Sequence, residues 1–154
     1  MKKLLLLGFG LTMLGACKKD SEPAPSTSSR TDLLTAKSWR LTAKNTSITL
    51  PGLPPLTDNA IDACDQDNFL KFSTNKTVVS DEGATKCDPS DPQTQNGTWA
   101  LKTNDTQLDI TLSGGLVNNG TFDIKELSAT TLHVYTSATN NGIAYTIDAT
   151  FTAF

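Results

Sequence analysis

Few side chains in this chain can do covalent or acid–base chemistry: three cysteines at positions 17, 64 and 87, one histidine, His133, and a crowd of carboxylates between Asp62 and Asp91. A thiol can be acylated, oxidised or bound to a metal. Metal sites built from Cys and His need close spacings such as C-x-x-C, and none occurs here. His133 has no Gly-x-Ser-x-Gly or His-Glu-x-x-His around it and reads as structural. Asp62, Asp65, Asp67, Asp81, Glu82, Asp88 and Asp91 would suit Ca²⁺, which takes several oxygen ligands. Yet Asp65-Gln66-Asp67-Asn68-Phe69-Leu70 puts Phe69 where an EF-hand loop needs its third oxygen and Leu70 where it needs glycine. A solvated acidic loop is the preferred reading, and no catalytic set, cofactor or metal site is assigned.

The flanks of Cys17 point to its chemistry. Lys2 and Lys3 precede an apolar run of about eleven residues, too short for the roughly 20 that span a bilayer, and Gly15-Ala16 is a small-residue cleavage site, so the segment reads as a secretory signal. Leu14-Gly15-Ala16-Cys17 resembles the lipobox of bacterial lipoproteins, in which the thiol is diacylated and the signal is cut just before it. The resemblance implies a signal peptide over 1–16 and a membrane anchor at Cys17; two or more acyl chains make such an anchor stable. "KKDSEPAPSTSSR", 18–30, has no large apolar residue and reads with Cys17 as a tether over 17–30. At about 3.1 Å per residue it would reach roughly 40 Å. Lys18 stands where an Asp would signal inner-membrane retention, so the outer membrane is the expected location. Asp20 and Glu22 resemble the acidic signal that sends some lipoproteins to the cell surface.

Beyond the tether, residues 31–154 form one domain-sized unit. Five basic and two acidic residues precede Thr31, so from totals of 13 and 16 this unit keeps eight basic against fourteen acidic, a formal charge of −6. With no basic cluster, nucleic acid is excluded as a partner. An exported domain with Cys17 consumed leaves Cys64 and Cys87 as an even pair, which the oxidising compartment favours as a disulfide.

The elements that must position these residues are almost all strands. Ile143, Tyr145, Ile147, Ala149, Phe151 and Ala153 alternate with Ala144, Thr146, Asp148, Thr150 and Thr152, the period of a strand with one buried face. Asn140-Asn141-Gly142 before it is a hairpin signal. Similar runs predict strands over 38–49, 67–73, 76–80, 96–103, 106–113, 119–127, 130–138 and 142–153, the first with Trp39, Leu41 and Ala43 on one face. A short helical turn capped by Thr31 or Asp32 precedes them. Eight sequential antiparallel strands suit an all-β up-and-down barrel, which closure leaves without edges; a two-sheet β-sandwich is the alternative.

"LLTAKSWRLT", "ACDQDNFLKFSTNKTVV", "ATKCDPSDPQTQNGTWAL" and the final Tyr-containing strand together resemble the lipocalin-like domain of bacterial lipoproteins across essentially all of 31–154. The resemblance implies a small antiparallel barrel and little about activity.

An eight-stranded barrel is either filled by side chains or holds one small ligand. The candidate cavity residues are Trp39, Phe72, Trp99, Tyr145 and Phe151. Residues 49–63, "TLPGLPPLTDNAIDA", are longer than a hairpin needs and carry Leu53, Leu56 and Ile61. They are expected to be a lid over the mouth or, by slight preference, a plug packed on one barrel end. The expected function is non-catalytic binding of a small apolar or amphipathic ligand. The alternative is a module that contacts a protein or glycan through its loops.

Overall fold

The computed structural model describes residues 28–117 and 119–154. The signal segment 1–16, Cys17 and all but the last residues of the tether lie outside the described residues.

The chain enters through a short helix α1 (Arg30–Thr35). Its cap is Ser29, two residues before Thr31 and three before Asp32, the caps the sequence suggests: the Asp32 backbone N–H donates to the Ser29 hydroxyl and the Ser29 N–H to the Asp32 carboxylate, each at 3.1 Å. Asp32 is thus the third helical residue of a capping box, satisfying donors the first turn leaves free.

Strands β1 (Ser38–Thr49), β2 (Leu56–Asp58), β3 (Phe69–Phe72), β4 (Thr77–Asp81), β5 (Thr94–Lys102), β6 (Gln107–Thr111), β7 (Gly120–Leu127), β8 (Thr131–Asn140) and β9 (Ile143–Ala153) follow. Consecutive strands from β3 to β9 pair antiparallel, and β9 pairs with β1 from Trp39↔Ala153 to Thr49↔Ala144. Because β1 also pairs with β3, through Ser38–Arg40, the sheet closes into an eight-stranded barrel. All eight predicted strands are present, shifted by no more than a few residues. The added strand, β2, lies on the same edge of β1 as β3, but further along, at Thr46–Ile48.

Turn chemistry follows residue type. Asn141 and Gly142 both take positive φ, 50° and 79°, the requirement of a tight hairpin of the twist-matched kind. At Gly97 the neighbouring strand comes so close that a Cβ would lie 2.0 Å from the Thr111 carbonyl oxygen.

The closed end of the barrel holds the largest side chains. Trp39 and Leu34 are wholly buried, and the Trp39 indole N–H donates to the Leu34 carbonyl at 2.9 Å, fastening α1 across that end. Trp99 meets Phe72 edge to face at 5.7 Å, and its indole N–H donates to the Ser73 carbonyl at 3.1 Å. With Leu70, Val78, Leu108 and Leu132 these residues make up the part of the core at this end. Fully burying each such side chain contributes about 1.5–3 kcal/mol.

Candidate functional site

The opposite end is open. Here β1 makes a bulge: Leu41 pairs with Phe151, but the next partner pair is Ala43↔Thr150, leaving Thr42 unmatched. The Thr42 hydroxyl occupies the gap by donating to the Thr150 carbonyl at 3.2 Å. One extra residue moves every later side chain of a strand to the other face. Trp39 and Leu41 therefore face inward as expected, whereas Ala43 does not; Lys44 opposite Ala149, Thr46 opposite Ile147 and Ile48 opposite Tyr145 take the inward positions instead.

Above the bulge the interior opens into a cavity of about 420 Å³. Its floor is Phe122 and Phe151, which also wall a residual void of only about 10 Å³ beneath, too small for a ligand. Leu41, Ile147 and Ala149 form one apolar side, Thr136 and Ala138 of β8 another, and Tyr145 stands at the rim, 40% exposed. Leu116 and Val117, between β6 and β7, close the third side. Their loop is fixed from below, since the Leu116 N–H donates to the buried Ser80 hydroxyl at 3.0 Å. Gly115 lets the backbone approach: at φ +85°, a Cβ there would sit 2.5 Å from the Ser80 oxygen.

Of the five residues expected at the cavity, Tyr145 and Phe151 line it; Trp39, Phe72 and Trp99 lie below its floor, in the packed half. Alternation puts a side chain on the inner face without saying whether that level of the barrel is filled.

Residues 49–63 differ from both the lid and the plug. Leu56 belongs to β2, which extends β1 sideways at the open end, and Leu53 and Leu56 are 59% and 67% exposed. Neither they nor Ile61 line the cavity; Leu50, Leu53, Pro54 and Leu56 instead surround a separate apolar hollow of about 200 Å³. The physical reason is that β2 offers its backbone to β1, so the segment leaves along the sheet edge. The loop that reaches the cavity, with Leu116 and Val117, went unrecognised because Gly114-Gly115 reads simply as a turn.

Lys44 also went unrecognised. It is the sole charged side chain lining the cavity among the described residues, and its ammonium lies 3.0 Å from an Asp58 carboxylate oxygen. Their side chains are 23% and 58% exposed. The Lys44 hydrogen bond, with help from the Ala60 N–H, holds the Asp58 carboxyl below the usual carboxylate range.

Cys64 and Cys87 are joined in a disulfide with Cα atoms 5.1 Å apart, linking the 3-10 turn at Ala63–Asp65 to the β4–β5 loop. The acids around it serve as acceptors for that loop. Asp67 accepts from the Thr85 hydroxyl at 2.8 Å and from the Ala84 and Thr85 N–H groups at 2.7 and 3.1 Å, which lower its pKa, the Thr85 hydroxyl foremost. The buried Asn68 amide donates to Asp65 and Glu82. Asp88 accepts from Ser90, and Asp81 from Gly83 and Gln93. His133 lies on the outer face of β8 and meets Asp148 of β9 at 2.8 Å.

Residues 35–134 match a family model described as a lipocalin-like domain. A search of curated proteins gave no match.

Proposed function

The chain belongs to the lipocalin-like domain family, and from that premise we propose that it is a non-catalytic binding protein whose ligand occupies the cavity at the open barrel end. The observation that carries this reading is the contrast between the two halves of one interior. One half is packed down to a void of about 10 Å³, while the other keeps about 420 Å³ with an apolar floor and walls of mixed apolar and polar side chains. The latter lies within the range of about 300–1,000 Å³ usual for small-molecule sites. Pockets of that kind bury most of a small ligand against apolar side chains and orient it with a few polar groups.

We further propose that Cys17 carries the lipid that tethers this barrel to the outer membrane, on the strength of Leu14-Gly15-Ala16-Cys17 and the polar segment after it. The closed end then takes the tether, because α1 crosses it and continues directly from residue 29. The open end is free to exchange ligand.

A second reading rests on the exposed apolar hollow formed by Leu50, Leu53, Pro54 and Leu56, a surface suited to a protein or glycan partner. Native mass spectrometry of the protein taken from its own envelope tests both. The expected result is a chain beginning at an acylated Cys17 with a small molecule retained. A protein partner retained in place of any small molecule would favour the second reading, and an unmodified N-terminal peptide would overturn the anchor.

A further inference from the structure

The bulge at Thr42 puts a lysine into an otherwise uncharged cavity wall, and its present partner is a replaceable one. Without the extra residue, Ala43 would take the inward position and Lys44 would face solvent. Among the described residues no other charge lines the cavity, while its floor and one flank are apolar. Asp58 belongs to a three-residue strand bonded only to β1 and is itself largely exposed, and exposed ion pairs are weak. Burial against a ligand would exclude water from around the Lys44 ammonium and strengthen any pair it makes inside the cavity.

Given that the mouth cavity holds a ligand, we propose that this ligand is an amphipathic molecule with a carboxylate-type head. Its apolar part rests on Phe122 and Phe151, and its head takes the Lys44 ammonium in exchange for Asp58. The acidic net charge of the domain does not oppose this, because charges further away than about 8 Å are largely screened at physiological salt. Thr46, inward on the same strand, already donates to the Asp58 carbonyl at 3.1 Å, and the other polar side chains of the wall, Asn119, Thr121, Thr136 and Tyr145, are uncharged, so Lys44 is the cavity's one cation among the described residues.

The test titrates decanoate and decan-1-ol, equal in chain length and different in charge, into the full chain carrying Cys17→Ser, which removes its own acyl chains as competitors. Lys44→Gln is expected to weaken decanoate about tenfold, the worth of a hydrogen bond to a charged group, and to leave decanol within about twofold. Lys44→Arg keeps the charge and should retain decanoate. Asp58→Asn removes the internal competitor and should tighten decanoate by about two- to fivefold without moving decanol. If Lys44→Gln changes both probes alike or neither, the head-group assignment is overturned while the cavity reading stands. If neither probe binds the parent protein, the cavity reading itself fails.

Discussion

Replacing both Cys64 and Cys87 by Ser isolates the contribution of the cross-link. The two positions are separated by 23 residues, for which the chain-entropy relation gives about 3.4 kcal/mol at 25 °C. The folded state should change little on substitution. Cys87 is exposed and Cys64 half-buried, and the same loop stays held by the Asp67 bonds to Ala84 and Thr85 and by Asn68 between Asp65 and Glu82. Those bonds exist only when the chain is folded, so they do not shorten the loop that the disulfide closes in the unfolded ensemble. The loss should therefore come near the full entropic value, lowering Tm by about 10–17 °C at some 3–5 °C per kcal/mol for a domain of this size. Guanidinium unfolding with and without reductant should give the same difference for the unaltered protein. Its slope should rise slightly in the variant, because a chain without the link exposes more surface when unfolded. A loss below about 1 kcal/mol would refute the reasoning, showing that the unfolded chain already holds the two segments together. Ligand binding should be unchanged, since neither cysteine lines the cavity.

Ala138→Trp places a large ring at the exposed rim of the cavity, so it should abolish binding while shifting stability by about 0.5 kcal/mol or less; unchanged affinity by calorimetry would place the ligand elsewhere. Gly97→Ala should destabilise by about 1–3 kcal/mol in denaturant titration, because the new methyl meets the Thr111 backbone carbonyl and β5 must shift. The carboxyls of Asp67 and Asp109 have folded pKa values below their unfolded ones, Asp67 chiefly through the Thr85 hydroxyl and Asp109 through the Thr121 hydroxyl and then Lys102. Their stabilisation is complete above the unfolded value near 3.9 and is lost as pH falls through the folded one. Melting curves should therefore be flat from pH 7 to about 5 and drop below about 4, and Asp67→Asn should shrink the drop.

Most of the strand layout was readable because a half-buried strand declares itself by alternation, as β9 does over Ile143–Ala153. β2 could not be found in this way: all three of its residues are exposed, so neither face carries an apolar signal, and only its backbone bonds to β1 define it. The bulge was hidden for the opposite reason. Trp39, Leu41 and Ala43 continue a clean period of two through the place where the pairing slips, and the slip depends on the partner strand β9. Missing the bulge meant missing Lys44, since a lysine beside an apolar residue reads as the solvent face. Lipidation of Cys17 rests on sequence alone.

The position of the cavity, however, was encoded locally. The inward residues of β8 from the closed end to the open one are Leu132, Val134, Thr136 and Ala138, a steady loss of apolar bulk along one strand. β9 runs against it, with Ala149 opposite Val134, where the taper begins, and Ile147 opposite Thr136. Across the barrel the large rings of Trp39, Phe72 and Trp99 all lie at the closed end. Interiors pack to near-crystalline density wherever side chains can reach one another. A barrel whose largest rings gather at one end therefore fills there first, while at the open level the small Thr136 and Ala138 of β8 leave a gap that Leu116, Ile147 and Tyr145 on the other walls do not close. The gradient of side-chain size along β8 thus marks the end at which the cavity opens, and alternation alone does not carry it.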